Sequence, residues 1–407
     1  MVEPLLQPGT LRRRLGLIGL TLYGLGVTIG AGIYVMIGQV AGLAGADAPL
    51  AFLLAATVAG LTAMSFAELS VRLPHSAGEA VYVRQGLGSP ALALLTGLAV
   101  AMTGTVAAAA VLIGASGYLA TLLPLAPWII AVGLVVLLTG LAVWGIAESV
   151  TAIGIVTLVE IGGLLVILAV AAPITLEASA WPVADTVPLA TGSLVGAVVV
   201  AFFAFIGFED MVNVVEEVRA PERTMPLAIG LTLIATTILY VSLACAALGV
   251  ASPGELAAST APLALVFERA TGWSAGPFAV VAGVATVNGV LVLVIMASRV
   301  LYGLARQGSL PAFLGSIWAR TGTPVIATVL VALAVLAAAL SLPIALLAQV
   351  SSMLTLLSFT LVNIALIALK RRDPAGAGGF RVPFWWPWVA ALASGGVLAA
   401  EIWRLLA

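Results

Sequence analysis

Eleven runs of apolar residues, most of them longer than the ~18 that cross a bilayer, leave this chain little freedom of fold. They lie near 15–41, 49–73, 91–120, 126–144, 148–172, 191–217, 226–250, 273–305, 323–340, 344–370 and 385–405. Hydrocarbon offers the backbone no water, so each spanning run must satisfy its own N–H and C=O groups, which a helix does. With 62% of residues hydrophobic and 8% charged, nothing remains for a soluble domain. The expected fold class is an all-α integral membrane bundle in a single domain, 1–407.

Arg12-Arg13-Arg14 ahead of the first run imitates a signal peptide, but the run continues to about residue 41 without a cleavage site and is read as a retained helix. The turn Leu123-Pro124-Leu125-Ala126-Pro127 divides runs three and four. Cys245 is the only cysteine, so neither an intrachain disulfide nor a thiolate metal cluster is expected. A formal net charge of −1 gives no support for a nucleic-acid partner.

The basic residues set an orientation. With the N-terminus inside, Arg12, Arg13, Arg14, Arg72, Arg84, Arg219, Arg223, Arg299, Arg306, Arg320, Lys370, Arg371, Arg372 and Arg381 fall on the cytoplasmic side, 14 of 16 Lys and Arg. Only Arg269 and Arg404 fall outside. An odd number of spans then puts the C-terminus outside. Trp385, Trp386, Trp388 and Trp403 bracket the last run as interfacial anchors.

Two runs are interrupted. Gly24-Leu25-Gly26-Val27-Thr28-Ile29-Gly30-Ala31-Gly32 punctures run one, and Phe203-Ala204-Phe205-Ile206-Gly207 followed by Phe208-Glu209-Asp210 punctures run six. Gly30 lies 14 residues after Gly16 and Gly207 lies 10 before Glu217, about 21 Å and about 15 Å along a helix. Both breaks fall near the middle of a core about 30 Å thick. Glycines also serve close helix packing, but paired breaks at positions one and six point to a transporter site. The half-helix after Gly32 offers free N–H groups and a positive dipole end to a carboxylate, and carbonyls around Phe203–Ile206 suit an ammonium. Such a site fits a zwitterion. Runs one to five (15–172) and six to ten (191–370) form two repeats of odd length, hence inverted, with 385–405 as an extra helix.

These residues resemble the amino acid-polyamine-organocation superfamily, in its amino acid permease branch. The most specific likeness runs from Phe202 to Glu209, through Glu216-Glu217-Val218, to Pro221-Glu222-Arg223-Thr224-Met225-Pro226. Ala220 stands where the family pattern has Asn. Similar too are the glycine pattern of run one, Ser65-Phe66-Ala67-Glu68-Leu69 and Met296-Ala297-Ser298-Arg299. The resemblance implies a 5+5 inverted-repeat bundle with discontinuous helices one and six; the apolar runs give eleven helices in all. It implies an amino acid held by Thr28, Ile29, Gly30, Ala31 and Gly32 on one side and Phe203, Ala204, Phe205 and Ile206 on the other. The amine would lie near the carbonyls of Thr28, Phe203, Ala204 and Ile206, and Phe205 would close the site from outside or serve ordinary packing.

Glu160 sits deep in run five among apolar and small residues, apart from Thr157. A carboxylate at that depth is costly and is by default a functional candidate. It would bind and release a proton, supply an oxygen to sodium, or act as a hydrogen-bonded structural acid. Glu68, Glu209, Glu216, Glu217 and Arg223, with Arg72, Arg219 and Arg299 nearby, read as an inner gate or as solvated helix ends; Glu209 also suits a helix N-terminus. His75, the only histidine, lies in a loop, so zinc is not expected. No Gly-x-Ser-x-Gly elbow, His-x-x-x-His pair or cofactor motif is present, which argues against an enzyme. Two single breaks rather than rings or filters argue against a channel. The expected activity is secondary transport across the cell membrane, as proton-coupled uptake of small or neutral L-amino acids. A cationic amino acid or polyamine carrier, an exchanger, and sodium coupling stay open, as does the oligomeric state.

Overall fold

The computed structural model describes residues 13, 15–30, 32–74, 78–144, 150–177, 191–374 and 379–406. Run one is two helices, α1 (Leu17–Ile29) and α2 (Gly32–Ala44). A 3₁₀ turn at Gly45–Asp47 leads into α3 (Ala48–Arg72), followed by the short α4 (Gly78–Leu87). Then come α5 (Pro90–Ala120), α6 (Pro127–Trp144) and α7 (Val150–Glu177). Run six is α8 (Thr191–Phe203), a turn, and a 3₁₀ helix over Phe208–Glu217. The chain continues through α9 (Pro221–Val250), α10 (Pro253–Ala258), α11 (Pro262–Thr271) and α12 (Gly276–Arg306). It ends with α13 (Val325–Ser341), α14 (Ile344–Arg372) and α15 (Trp386–Leu406).

All eleven apolar runs are helical, and runs one and six are discontinuous. Three differences have local causes. The helices α4, α10 and α11 lie in stretches expected as loops. They are too short to span, and α10 is stabilised by Ser252 and Glu255, which cap each other reciprocally. Next, α9 starts at Pro221, not 226, because Pro221 occupies the first helical position, where a missing N–H costs nothing. Finally, the second half of run six is a 3₁₀ rather than an α-helix.

The broken helices sit at the centre. α1 packs on α7 and α9, α2 on α8 and α10, and α5 lies between α12 and α14. Small residues permit the closest approaches, as where Gly86 meets Ala365 and Gly114 meets Val35. Large apolar side chains on the outer helices point away from the bundle, among them Val136, Leu137, Leu333 and Leu392, as expected of a lipid-facing surface. The Trp386 indole N–H donates to the Leu61 carbonyl at 2.8 Å, and the Arg371 guanidinium lies 5.2 Å over the Trp388 ring. Two of the four expected anchors therefore also fasten α15 to the bundle.

Candidate functional site

The helix breaks touch. Gly30 ends α1 with φ 14 and ψ −111, and its N–H still reaches the Gly26 carbonyl at 3.1 Å. In run six, the N–H groups of Ala204, Phe205 and Ile206 bond back to Ala201, Phe202 and Phe203 as tight turns, and Gly207 then adopts φ 125. A Cβ on Gly32 would lie 2.8 Å from the Ala204 Cα, and one on Gly207 would lie 2.7 Å from the Val27 carbonyl oxygen. Glycine is required at both crossings: at Gly32 by space, at Gly207 by space and positive φ.

Tyr240 of α9 joins the same two segments. Its hydroxyl lies 3.0 Å from the carbonyl oxygens of both Thr28 and Ala204. The Phe203 carbonyl accepts the Ile206 N–H. Three of the four carbonyls expected to face an amine are thus partly engaged, each keeping one lone pair. The Phe205 and Ile206 carbonyls have no partner among the described residues.

A cavity of about 80 Å³ lies against the crossing, room for several waters or one small solute. Thr28, Gly30, Gly32, Phe203, Ile206 and Glu209 line it. Its side walls are aliphatic: Val100, Ala107 and Val111 from α5, with Val292, Leu293 and Met296 from α12. Polar points come from Thr103, Asn288, Thr355 and Ser358. The Thr28 and Ser358 hydroxyls are buried without a hydrogen-bond partner among the described residues. At one end the carboxyl groups of Glu79, Glu209 and Asp210 line the wall, and Glu209 Oε2 accepts the Gly207 N–H at 2.8 Å. Glu79 belongs to α4, outside the spanning helices; burial, with the Asp210 charge adding to it, pushes its carboxyl up to about 7.

The cavity continues into a vestibule of about 540 Å³, sharing Tyr23, Asp210, Val292 and Met296 and lined further by Glu217, Arg299 and Gln307. This is the arginine-rich end of the bundle. At the other end α10 and α11 pack against α2. Phe205 is fully buried, its ring 5.1 Å from that of Tyr240, and it does not line the cavity. The Leu256 carbonyl of α10 presses on Gly38 of α2, and the Leu263 N–H of α11 donates to the Tyr118 hydroxyl.

Other expected residues lie elsewhere. Ile29 is fully buried behind the break, and Ala31 and His75 lie outside the described residues. Glu68 is held by Arg72 at 2.7 Å and by Lys370 at 2.6 Å, while the Val382 N–H donates to its Oε2. That cluster ties α3, α14 and the approach to α15 together and does not reach the broken helices. Glu217 meets the vestibule, Glu216 is half-buried, and Arg223 is exposed on the first turn of α9. Glu160 is fully buried on α7, and neither carboxyl oxygen has a hydrogen bond of standard geometry among the described residues. Sequence alone did not bring Glu79, Asn288, Thr355, Ser358 or Tyr240 to the site. Only Asn288, a polar residue in an apolar helix, carried a local signal.

The chain is similar to the branched-chain amino acid permease BcaP of Bacillus subtilis, 29% identical over 92% of this chain and 84% of that one. It is similar to the vacuolar cationic amino acid transporter 4 of Arabidopsis thaliana, 32% identical over 91% of this chain, and spans 65% of that protein, just under two thirds of its length. The crystal structure of MhsT in complex with L-phenylalanine superposes on 96% of this chain and all of that one, with TM-score 0.69 and 14% identity, a likeness of fold. The amino acid permease model matches residues 15–403, and the chain, a multi-pass membrane protein, belongs to the amino acid permease family of the amino acid-polyamine-organocation superfamily.

Proposed function

We propose that the protein carries neutral L-amino acids into the cell by proton-coupled alternating access. The zwitterion would lie across the crossed breaks, its carboxylate on the first N–H groups of α2 and its ammonium toward the Ile206 carbonyl and the second lone pairs of Thr28 and Ala204. The observation that carries the substrate class is the aliphatic wall from α5 and α12 beside that crossing. With the N-terminus and the arginine-rich end cytoplasmic and the C-terminus outside, the vestibule faces inward.

Glu160 is the coupling group in this reading, because an ionised carboxyl without a partner in the bilayer is costly and a protonated one is not. Proteoliposomes given an inward proton gradient should accumulate substrate without sodium. Glu160→Gln should retain measurable exchange and lose gradient-driven accumulation. Sodium-dependent uptake by the wild type, or full accumulation by the variant, would falsify the coupling.

One observation favours a second substrate class. The three carboxyl groups at the cavity mouth, Glu79, Glu209 and Asp210, would attract a cationic side chain or a polyamine. A thermal-shift screen of the twenty amino acids and common polyamines on purified protein separates the two.

A further inference from the structure

One polar side chain is common to the cavity lining and the surroundings of Glu160. Asn288 of α12 lines the cavity, is half-buried, and makes no hydrogen bond of standard geometry among the described residues. Its amide is also within electrostatic reach of the Glu160 carboxyl. The two helices are pressed together there: a Cβ on Gly163, one turn beyond Glu160, would lie 2.6 Å from the Val281 side chain of α12 and 3.1 Å from the Tyr34 hydroxyl. Tyr34 of α2 donates to the Glu160 backbone carbonyl at 2.7 Å, which holds the backbone of α7 and leaves the carboxyl free. Tyr240 of α9 is the other titratable group near it. No Lys, Arg or His side chain pairs with Glu160 among the described residues.

We propose that Asn288 is a positioning residue that reads the charge on Glu160 and presents the opposite end of its amide to the substrate. A primary amide has a donor end and an acceptor end. An ionised carboxylate only accepts, so it draws the Asn288 NH₂ group and turns the amide oxygen to the cavity. A protonated carboxyl donates its O–H, draws the amide oxygen, and turns the NH₂ group to the cavity. There the donor faces a space whose unpartnered acceptors include Thr28 Oγ1 and Ser358 Oγ. The proton reaches Glu160 from water and returns to water; no bond other than that O–H forms or breaks. Substrate affinity thereby becomes a function of the charge on Glu160. This rests on the proton-coupled reading above.

The test uses whichever of the twenty amino acids gives the largest thermal shift. Its affinity is measured at about pH 5.5 and about pH 7.5, beside accumulation in proteoliposomes under a proton gradient. A coupling of ordinary size makes the wild-type affinities differ by about tenfold. Asn288→Ala weakens binding at both pH values, as loss of a cavity side chain must, and its diagnostic change is collapse of that ratio to under about twofold with loss of gradient-driven accumulation. Asn288→Gln, which keeps the amide, restores part of the ratio. If Asn288→Ala does not yield folded protein, Asn288→Ser is read in the same way. A variant that binds less well but keeps the wild-type ratio overturns the proposal and leaves proton coupling standing. Absence of proton-driven accumulation in the wild type removes both.

Discussion

Gly32 and Ala204 meet backbone to backbone at the centre of the bundle, so close that a Cβ on Gly32 would lie 2.8 Å from the Ala204 Cα. The two interrupted helices thus form one crossing, and neither backbone can yield without moving the other. Gly32→Val should abolish substrate binding, and Gly32→Ala should weaken it at least tenfold, roughly 1.4 kcal/mol. The check is counterflow of labelled substrate at matched membrane abundance; normal exchange by Gly32→Val would remove the crossing from the binding site.

Tyr240 closes the same crossing through one hydroxyl shared by two carbonyls. Tyr240→Phe keeps the ring contact with Phe205 and removes the donor. The expected loss is about 1–3 kcal/mol of stability, read as a lower melting temperature in detergent, together with a raised KM. An unchanged melting temperature and KM would mean that the hydroxyl does not hold the two segments.

Ala220 is the only non-glycine with positive φ among the described residues, at 47°. It precedes Pro221 and accepts the N–H groups of Arg223 and Thr224. A residue with a Cβ pays roughly 1 kcal/mol in the left-handed region, where Asn and Gly are favoured. Ala220→Asn and Ala220→Gly should each raise the melting temperature without altering transport, and a fall in melting temperature for both would refute the strain.

Lys370 is buried and bonded to both Glu68 oxygens and to the Val382 carbonyl. Lys370→Met leaves the Glu68 carboxylate with the Arg72 guanidinium and the Val382 N–H and removes the charge-assisted bonds from Lys370, at a cost of about 1.5–3 kcal/mol. Expression of folded protein should drop sharply. Glu68→Gln should cost more, about 3–5 kcal/mol, because it leaves both buried cations, Lys370 and Arg72, without a counter-charge. A Glu68→Gln variant no less stable than Lys370→Met would show that the carboxylate does not hold the cluster together.

Glu79 gives a pH dependence whose sign follows from its environment. Its carboxyl is raised from 4.5 to about 7 by burial and then by the Asp210 charge, so the folded state holds the proton more tightly than the unfolded one. Stability is therefore highest below about 4.5 and is lost as pH rises toward about 7, by up to about 3 kcal/mol. Glu79→Gln should be more stable than wild type at about pH 8, with the gap closing toward about pH 5. Melting curves across that range decide it, and a pH-independent gap would show that the carboxyl does not titrate there.

What the sequence determined by itself is local. Hydropathy is a property of a stretch and its solvent, so the eleven runs and the need for helices were legible without any contact. Gly30 and Gly207 were legible as interruptions because few other residues tolerate such backbone angles or leave such space. Glu160 was legible as an anomaly because its neighbours in the chain are apolar. Tertiary structure decided everything that depends on two distant segments meeting. Glu68 was expected in an ion-pair network at the inner gate or at a solvated helix end, and tertiary structure adds Lys370, 302 positions away, to its partner Arg72. Phe205, expected to close the site from outside or to serve ordinary packing, lies buried with its ring 5.1 Å from that of Tyr240. Glu79, Asn288, Thr355 and Ser358 reach one cavity from α4, α12 and α14. Chain periodicity carries no record of which helix faces lie together; packing and burial of polar groups select that arrangement only after the helices have formed.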